Sequence, residues 1–178
     1  AYNLEPSLNQ AITFGSLANK TYGDADFSVS ATASSGLAVS FSASGNCTVS
    51  GTTVHITGAG SCTITASQAG VDSYGIATTA PKPWYPAANV SQAFSIAKAT
   101  PTLTWNTPAN IVLGTALSET QLNATASVAG SFVYTPPAGT VLPVGSAQNL
   151  HVDFTPADTA NYNNASADVK INVTYSFS

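Results

Sequence analysis

Bulky and small polar side chains alternate one for one along much of this chain, and that two-residue period commits it to extended backbone. Phe27-Ser-Val-Ser-Ala-Thr-Ala33 alternates, as do Leu37-Ala-Val-Ser-Phe-Ser-Ala43, Thr53-Val-His-Ile-Thr57, Cys62-Thr-Ile-Thr-Ala66 and Ala93-Phe-Ser-Ile-Ala97. A strand sends successive side chains to opposite faces, so each segment predicts one buried face and one solvated face. No segment keeps a 3.6-residue apolar period over three helical turns. Turn signals at Ser35-Gly36, Ser44-Gly-Asn46, Ser50-Gly51 and Gly58-Ala-Gly60 break the pattern about every ten residues, the spacing of a sandwich rather than a parallel sheet. The predicted fold class is all-β.

The pattern occurs twice. Ile12-Thr-Phe14 is echoed 91 positions later by Leu103-Thr-Trp105, and Tyr22-Gly-Asp24 by Leu113-Gly-Thr115 at the same offset. Cys62-Thr-Ile-Thr-Ala-Ser-Gln parallels Leu150-His-Val-Asp-Phe-Thr-Pro, and Val90-Ser-Gln-Ala-Phe-Ser-Ile parallels Ala167-Asp-Val-Lys-Ile-Asn-Val. Two sandwich domains of roughly 80–90 residues follow, each large enough for a modest core. They are predicted as 1–97 and 98–178, with the seam at Ile96-Ala-Lys-Ala-Thr-Pro101. A linker this short predicts a stiff joint. The first copy carries an insert near 75–86, Gly75-Ile-Ala-Thr-Thr-Ala-Pro-Lys-Pro-Trp-Tyr-Pro86, that the second copy lacks.

Charge narrows the function. Of 178 residues only 7% are charged, with four lysines, no arginine and a formal net charge of −4. Neutralising phosphates takes clustered Lys or Arg, so no nucleic-acid partner is expected. No 18-residue apolar run exists, so no membrane insertion is expected either. The opening Ala1-Tyr-Asn-Leu-Glu-Pro6 lacks the charged and apolar segments of a signal peptide, which reads as a processed form or a cut fragment.

Cys47 and Cys62 stand in matching contexts, Gly45-Asn-Cys-Thr-Val and Gly60-Ser-Cys-Thr-Ile, each opening a predicted strand after a turn. That suits a disulfide between neighbouring strand ends, confined to the first domain, and it implies an oxidising compartment. A two-cysteine zinc site would need further ligands, and His55 and His151 are far apart in sequence. The second domain has no cysteine and is expected to rely on Trp105, Phe132, Tyr134, Phe154 and Tyr162.

The remaining polar groups read as solvated surface. His55 falls between Val54 and Ile56, while His151 and Asp153 share the face opposite Leu150, Val152 and Phe154. A His–Asp pair needs a third group and a nucleophile to catalyse anything, and no Gly-x-Ser-x-Gly elbow is present. Asp24 and Asp26 make too few oxygens for calcium, and a turn-forming role fits them better. Lys20, Lys98 and Lys170 raise the thought of an isopeptide crosslink, but spacing selects no trio. The Thr-x-Thr pairs at Thr63 and Thr65 and at Thr102 and Thr104 would bind ice only on a flat face, which a twisted sheet does not provide. No enzyme, metal or cofactor is expected.

The stretch Ile12-Thr-Phe, Thr21-Tyr-Gly-Asp, Ser30-Ala-Thr-Ala-Ser-Ser-Gly-Leu and Gly60-Ser-Cys-Thr-Ile-Thr-Ala-Ser-Gln resembles bacterial Ig-like repeats. The second copy, with Ala99-Thr-Pro-Thr-Leu-Thr-Trp, Phe132-Val-Tyr-Thr-Pro and Asn161-Tyr, is similar to a sister type often found beside the first. The resemblance implies two tandem immunoglobulin-like β-sandwich domains. It also implies a non-catalytic spacer or adhesion module in a secreted or cell-surface bacterial protein, touching neighbouring domains of that protein, and no catalytic residues.

The insert supplies the alternative. Trp84 and Tyr85 are candidate ligand-binding residues that could stack on sugar rings, making a carbohydrate-binding module with a polysaccharide partner. The blander reading wedges them against the second domain. The tails, 1–10 and 175–178, either cover a sheet edge of their own chain, leaving a monomer, or add a strand to a neighbour and build a filament. The monomer is favoured, because Pro6 interrupts the leading tail.

Overall fold

The computed structural model describes residues 8–70 and 84–176, and every regular element among them is a β-strand. The chain divides into two compact units, Ala1–Ala97 and Lys98–Ser178.

The first unit contains β1 (Ile12–Phe14), β2 (Lys20–Thr21), β3 (Phe27–Ser28), β4 (Ala31–Ala33) and β5 (Ser40–Gly45). It continues through β6 (Cys47–Ser50), β7 (Thr53–Ile56), β8 (Gly60–Ser67) and β9 (Val90–Ala97). The main sheet runs β2-β9-β8-β5, with β2 parallel to β9 and the other pairs antiparallel. A second sheet runs β3-β7-β6, and β1 pairs with β4. The buried partners of the alternation meet in one core: Cys62, Ile64 and Ala66 from β8, Phe94 and Ile96 from β9, Val54 and Ile56 from β7, and Ile12 and Phe14 from β1. Each buried aliphatic side chain contributes about 1.5–3 kcal/mol.

Two sequence expectations need correction. Phe27–Ala33 is not one strand: Phe27 pairs with Val54, while Ala31–Ala33 pairs with β1. The break falls at Val29, whose N–H donates to Thr52 O (2.9 Å). Cys47 and Cys62 do form a disulfide, with Cα atoms 5.7 Å apart, but not between adjacent strand ends. Cys47 opens β6 in the second sheet, whereas Cys62 is the third residue of β8 in the main sheet. The bridge therefore ties sheet to sheet.

A single residue, Asn46, carries the chain from β5 in one sheet to β6 in the other. Gly45 turns there with φ +88°, and a Cβ on it would collide with the Ser61 carbonyl, so the corner requires glycine. Asn46 then satisfies the exposed ladder. Its N–H donates to Ser61 O (2.9 Å), its carbonyl accepts from Thr57 N–H (3.0 Å), and its side-chain amide donates to Ala59 O.

The second unit contains β10 (Leu103–Thr104), β11 (Ile111–Val112), β12 (Thr125–Ala126), β13 (Gly130–Thr135), β14 (Gly145–Pro156) and β15 (Ala165–Thr174). Its sheet order, β11-β15-β14-β13, reproduces β2-β9-β8-β5, again with the second strand of the unit parallel to its last. The β10–β12 pair reproduces β1–β4. Even single bonds recur: Tyr22 N–H donates to Ala97 O at 2.8 Å, and Leu113 N–H to Thr174 O at 2.9 Å. What does not recur among the described residues is the β3-β7-β6 sheet; the place of its β6–β7 hairpin, between β13 and β14, is taken by residues 136–144.

Of the aromatic residues expected in this core, Phe154 is fully buried, and Trp105, Phe132, Tyr134 and Tyr162 are half-buried. Phe132 and Phe154 pack at a 44° tilt with centroids 4.8 Å apart, and Trp105 meets Tyr134 edge-on at 5.4 Å. The most enclosed positions beside Phe154 are aliphatic, namely Leu117, Leu150, Val152 and Ile171.

Candidate functional site

The described part of the insert, Trp84 to Pro86, is fastened to the first unit by its own backbone; residues 75–83 lie outside the described residues. Leu8 bridges Trp84 in parallel, and Tyr85 N–H donates to Leu8 O (3.0 Å). The Gln10 side-chain amide donates to Tyr85 O (2.7 Å) and to Gln68 Oε1 (2.6 Å), while Ala87 N–H donates to Gln68 O (2.9 Å). Gly70, at φ +79°, passes so near that a Cβ on it would lie 2.9 Å from Pro86 N. The segment sits where β9 begins, and Ala97 lies about 25 Å away at that strand's other end. Trp84 is half-buried and Tyr85 is 55% exposed. Together they make one rigidly seated, outward phenol ring, apolar on its faces and polar at its tip.

A second group of chemically active side chains lies on the outer face of β14 and β15. Cross-strand pairing sets His151 opposite Asp168 and Asn149 opposite Lys170. His151 Nδ1 is 3.0 Å from Asp168 Oδ1, and its Nε2 is 3.3 Å from Asp153 Oδ1. Asn149 donates to Asp168 Oδ1 (2.7 Å) and accepts from Lys170 Nζ (3.0 Å). The hydrogen bond to Asp168, then that to Asp153, raises the His151 pKa above its ordinary 6.5. Asn149, then His151, holds the Asp168 carboxyl below its ordinary 3.8.

The fold thus brings together a lysine, an asparagine and an acid that sequence spacing did not select. The chemistry of a crosslink is nevertheless missing. An amide-forming lysine must lose its proton and the acid must hold one, which desolvation accomplishes. Lys170, Asn149 and Asp168 all stand in solvent, and Asp168 is biased toward the ionised form. The ladder is a hydrogen-bonded surface network.

His151 reports on that network. Because its pKa is raised in the folded state, its contribution to stability is complete below the unfolded value near 6.5 and disappears as pH rises through the folded value. Asp168 acts in the opposite window, its contribution being lost as pH falls through its depressed value. We expect the His151 ring resonances to titrate above 6.5 by NMR, and Asp168→Asn to bring the midpoint down. An unmoved midpoint in that variant would contradict the assignment.

His55 and Asp26 pair at 2.7 Å, and Asp24 Oδ2 accepts from Thr21 N–H (2.9 Å), a turn-closing bond. Asp24 and Asp26 therefore serve different partners. Asp168 and Asn149 escaped the sequence reading; the alternation Asp168-Val-Lys170 marks an outward face, but only register shows which residues oppose it. An open groove of about 470 Å³ at the end of β15 is lined by residues including Asn110, Val144, Asn172 and Tyr175.

No known family model and no curated protein matches the sequence. Among solved structures, Drosophila N-cadherin EC1-4 is similar at 10% identity and a TM-score of 0.34. The match covers 94% of this chain and spans half of the cadherin chain.

Proposed function

We propose that the protein is a non-catalytic spacer or adhesion module made of two tandem immunoglobulin-like β-sandwiches, working in a secreted or cell-surface bacterial protein beside neighbouring domains. The observation that carries this reading is the duplicated architecture, in which both units share one sheet order and the same bond from the residue after the second strand to the last strand. A duplicated β-unit extends reach without needing a cleft. The Cys47–Cys62 disulfide supports an oxidising, extracellular setting.

One observation favours a second reading. The exposed Tyr85 ring, on a backbone pinned by Leu8, Gln10 and Gln68, is a preorganised stacking surface, and Trp84 stands beside it. A polysaccharide array probed with the full chain and with Trp84→Ala separates the readings. The spacer reading expects neither protein to be retained. The carbohydrate-binding reading expects retention that the substitution weakens about tenfold or more at unchanged melting temperature, since tenfold corresponds to losing one good contact. Retention abolished in this way would overturn the spacer as the sole role.

A further inference from the structure

The β13 strand, Gly130-Ser-Phe-Val-Tyr-Thr135, closes one side of its sheet and, among the described residues, pairs only with β14. Natural edges are blunted by charge, proline, bulges or a covering segment. The six residues of β13 contain no charge and no proline, its ladder to β14 has no bulge, and no strand or bridge among the described residues covers it. The ladder phase follows from Ala157 N–H donating to Ala129 O (2.9 Å). Ser131, Val133 and Thr135 thus turn their backbone groups toward β14, and Phe132 and Tyr134 turn theirs toward the open edge. On the outer face stands Val133, 62% exposed between Ser131 and Thr135.

We propose that this edge binds a second copy of the same chain, β13 against β13, antiparallel about a two-fold axis through Val133. This pairing fits because the strand is complementary to itself. Val133 meets Val133 of the second copy, Ser131 meets Thr135, and Phe132 meets Tyr134. These are β-branched, hydroxyl and aromatic cross-strand pairs of the kinds that stabilise sheets. Phe132 and Tyr134 supply about four N–H···O bonds across the axis. The pairing also accounts for an exposed valine among hydroxyl side chains. The equivalent edge of the first unit, Ser40-Phe-Ser-Ala-Ser-Gly45, shows only serines at the corresponding outward positions and ends in the Gly45 corner, so it offers no such match.

Sedimentation of the full chain from about 10 μM to about 1 mM spans the range in which so small an interface dissociates. The wild type should pass from monomer to dimer, and Val133→Lys should stay monomeric. Asp153 lies directly opposite Val133 within the sheet, so the lysine has a partner in the folded monomer. Register is read by two double variants with equal numbers of substitutions. Ser131→Lys with Thr135→Glu places opposite charges across the axis and should keep the dimer. Ser131→Lys with Thr135→Lys places like charges there and should weaken it about tenfold or more. Ser42→Lys on β5 should change nothing. A wild type that is monomeric throughout overturns the inference and leaves the spacer reading as it was. So does a dimer that survives Val133→Lys, or one lost equally in both double variants.

Discussion

Replacing Cys47 and Cys62 together by alanine is expected to lower the stability of the first unit by about 3 kcal/mol, the loop-closure entropy of a crosslink spanning about 15 residues. The partners lie 15 positions apart and both are buried, Cys62 completely. Lost packing adds to the loss, because each alanine leaves space where sulfur filled the junction between the β6 and β8 sheets. In urea, the first unit's midpoint should fall and the second unit's should not, since no cysteine occurs beyond Cys62. Reducing agent on the wild type should reproduce the shift. A change below about 1 kcal/mol would mean that the corner at Gly45 and Asn46 holds the sheets together unaided.

Phe154→Ala should cost the second unit about 3–5 kcal/mol. Its ring is almost wholly enclosed and packs at a tilt against Phe132, which itself stacks on Tyr134. Typical domains have only about 5–15 kcal/mol in hand, and this unit has no covalent tie to share the loss. The expected result is a second unit near its unfolding threshold at room temperature beside an intact first unit. Near-ultraviolet circular dichroism and urea unfolding would show two separated transitions. Coincident unfolding of both units would contradict that independence.

These two residue sets were readable from sequence to different depths. Alternation identified the buried face of Cys62-Thr-Ile-Thr-Ala66 and of Leu150-His-Val-Asp-Phe154 because a two-residue period leaves no other assignment of faces. It could not say which strands pair. Phe27–Ala33 alternates without interruption yet serves two sheets, since the Val29 to Thr52 bond that divides it joins residues distant in sequence. The matching contexts of the cysteines placed both near strand starts, Cys47 first in β6 and Cys62 third in β8, but the one-residue crossing at Asn46 decided that the bridge would join sheets. The outward position of His151 was likewise legible. Its partnership with Asp168, across the β14–β15 pair, depended on register.

The parallel pairing of each unit's early strand with its last strand governs how the chain carries tension. Pulling the two ends of a unit apart slides β2 along β9, or β11 along β15, so the bonds between them are loaded together in shear rather than opened one after another. In the first unit the disulfide adds a limit to extension. The residues between Cys47 and Cys62 cannot be paid out even when every sheet has opened, which withholds about 50 Å of contour at roughly 3.5 Å per residue. The two units, alike in strand order, are therefore unequal as tethers: the second can lengthen over its whole sequence, and the first keeps a closed loop.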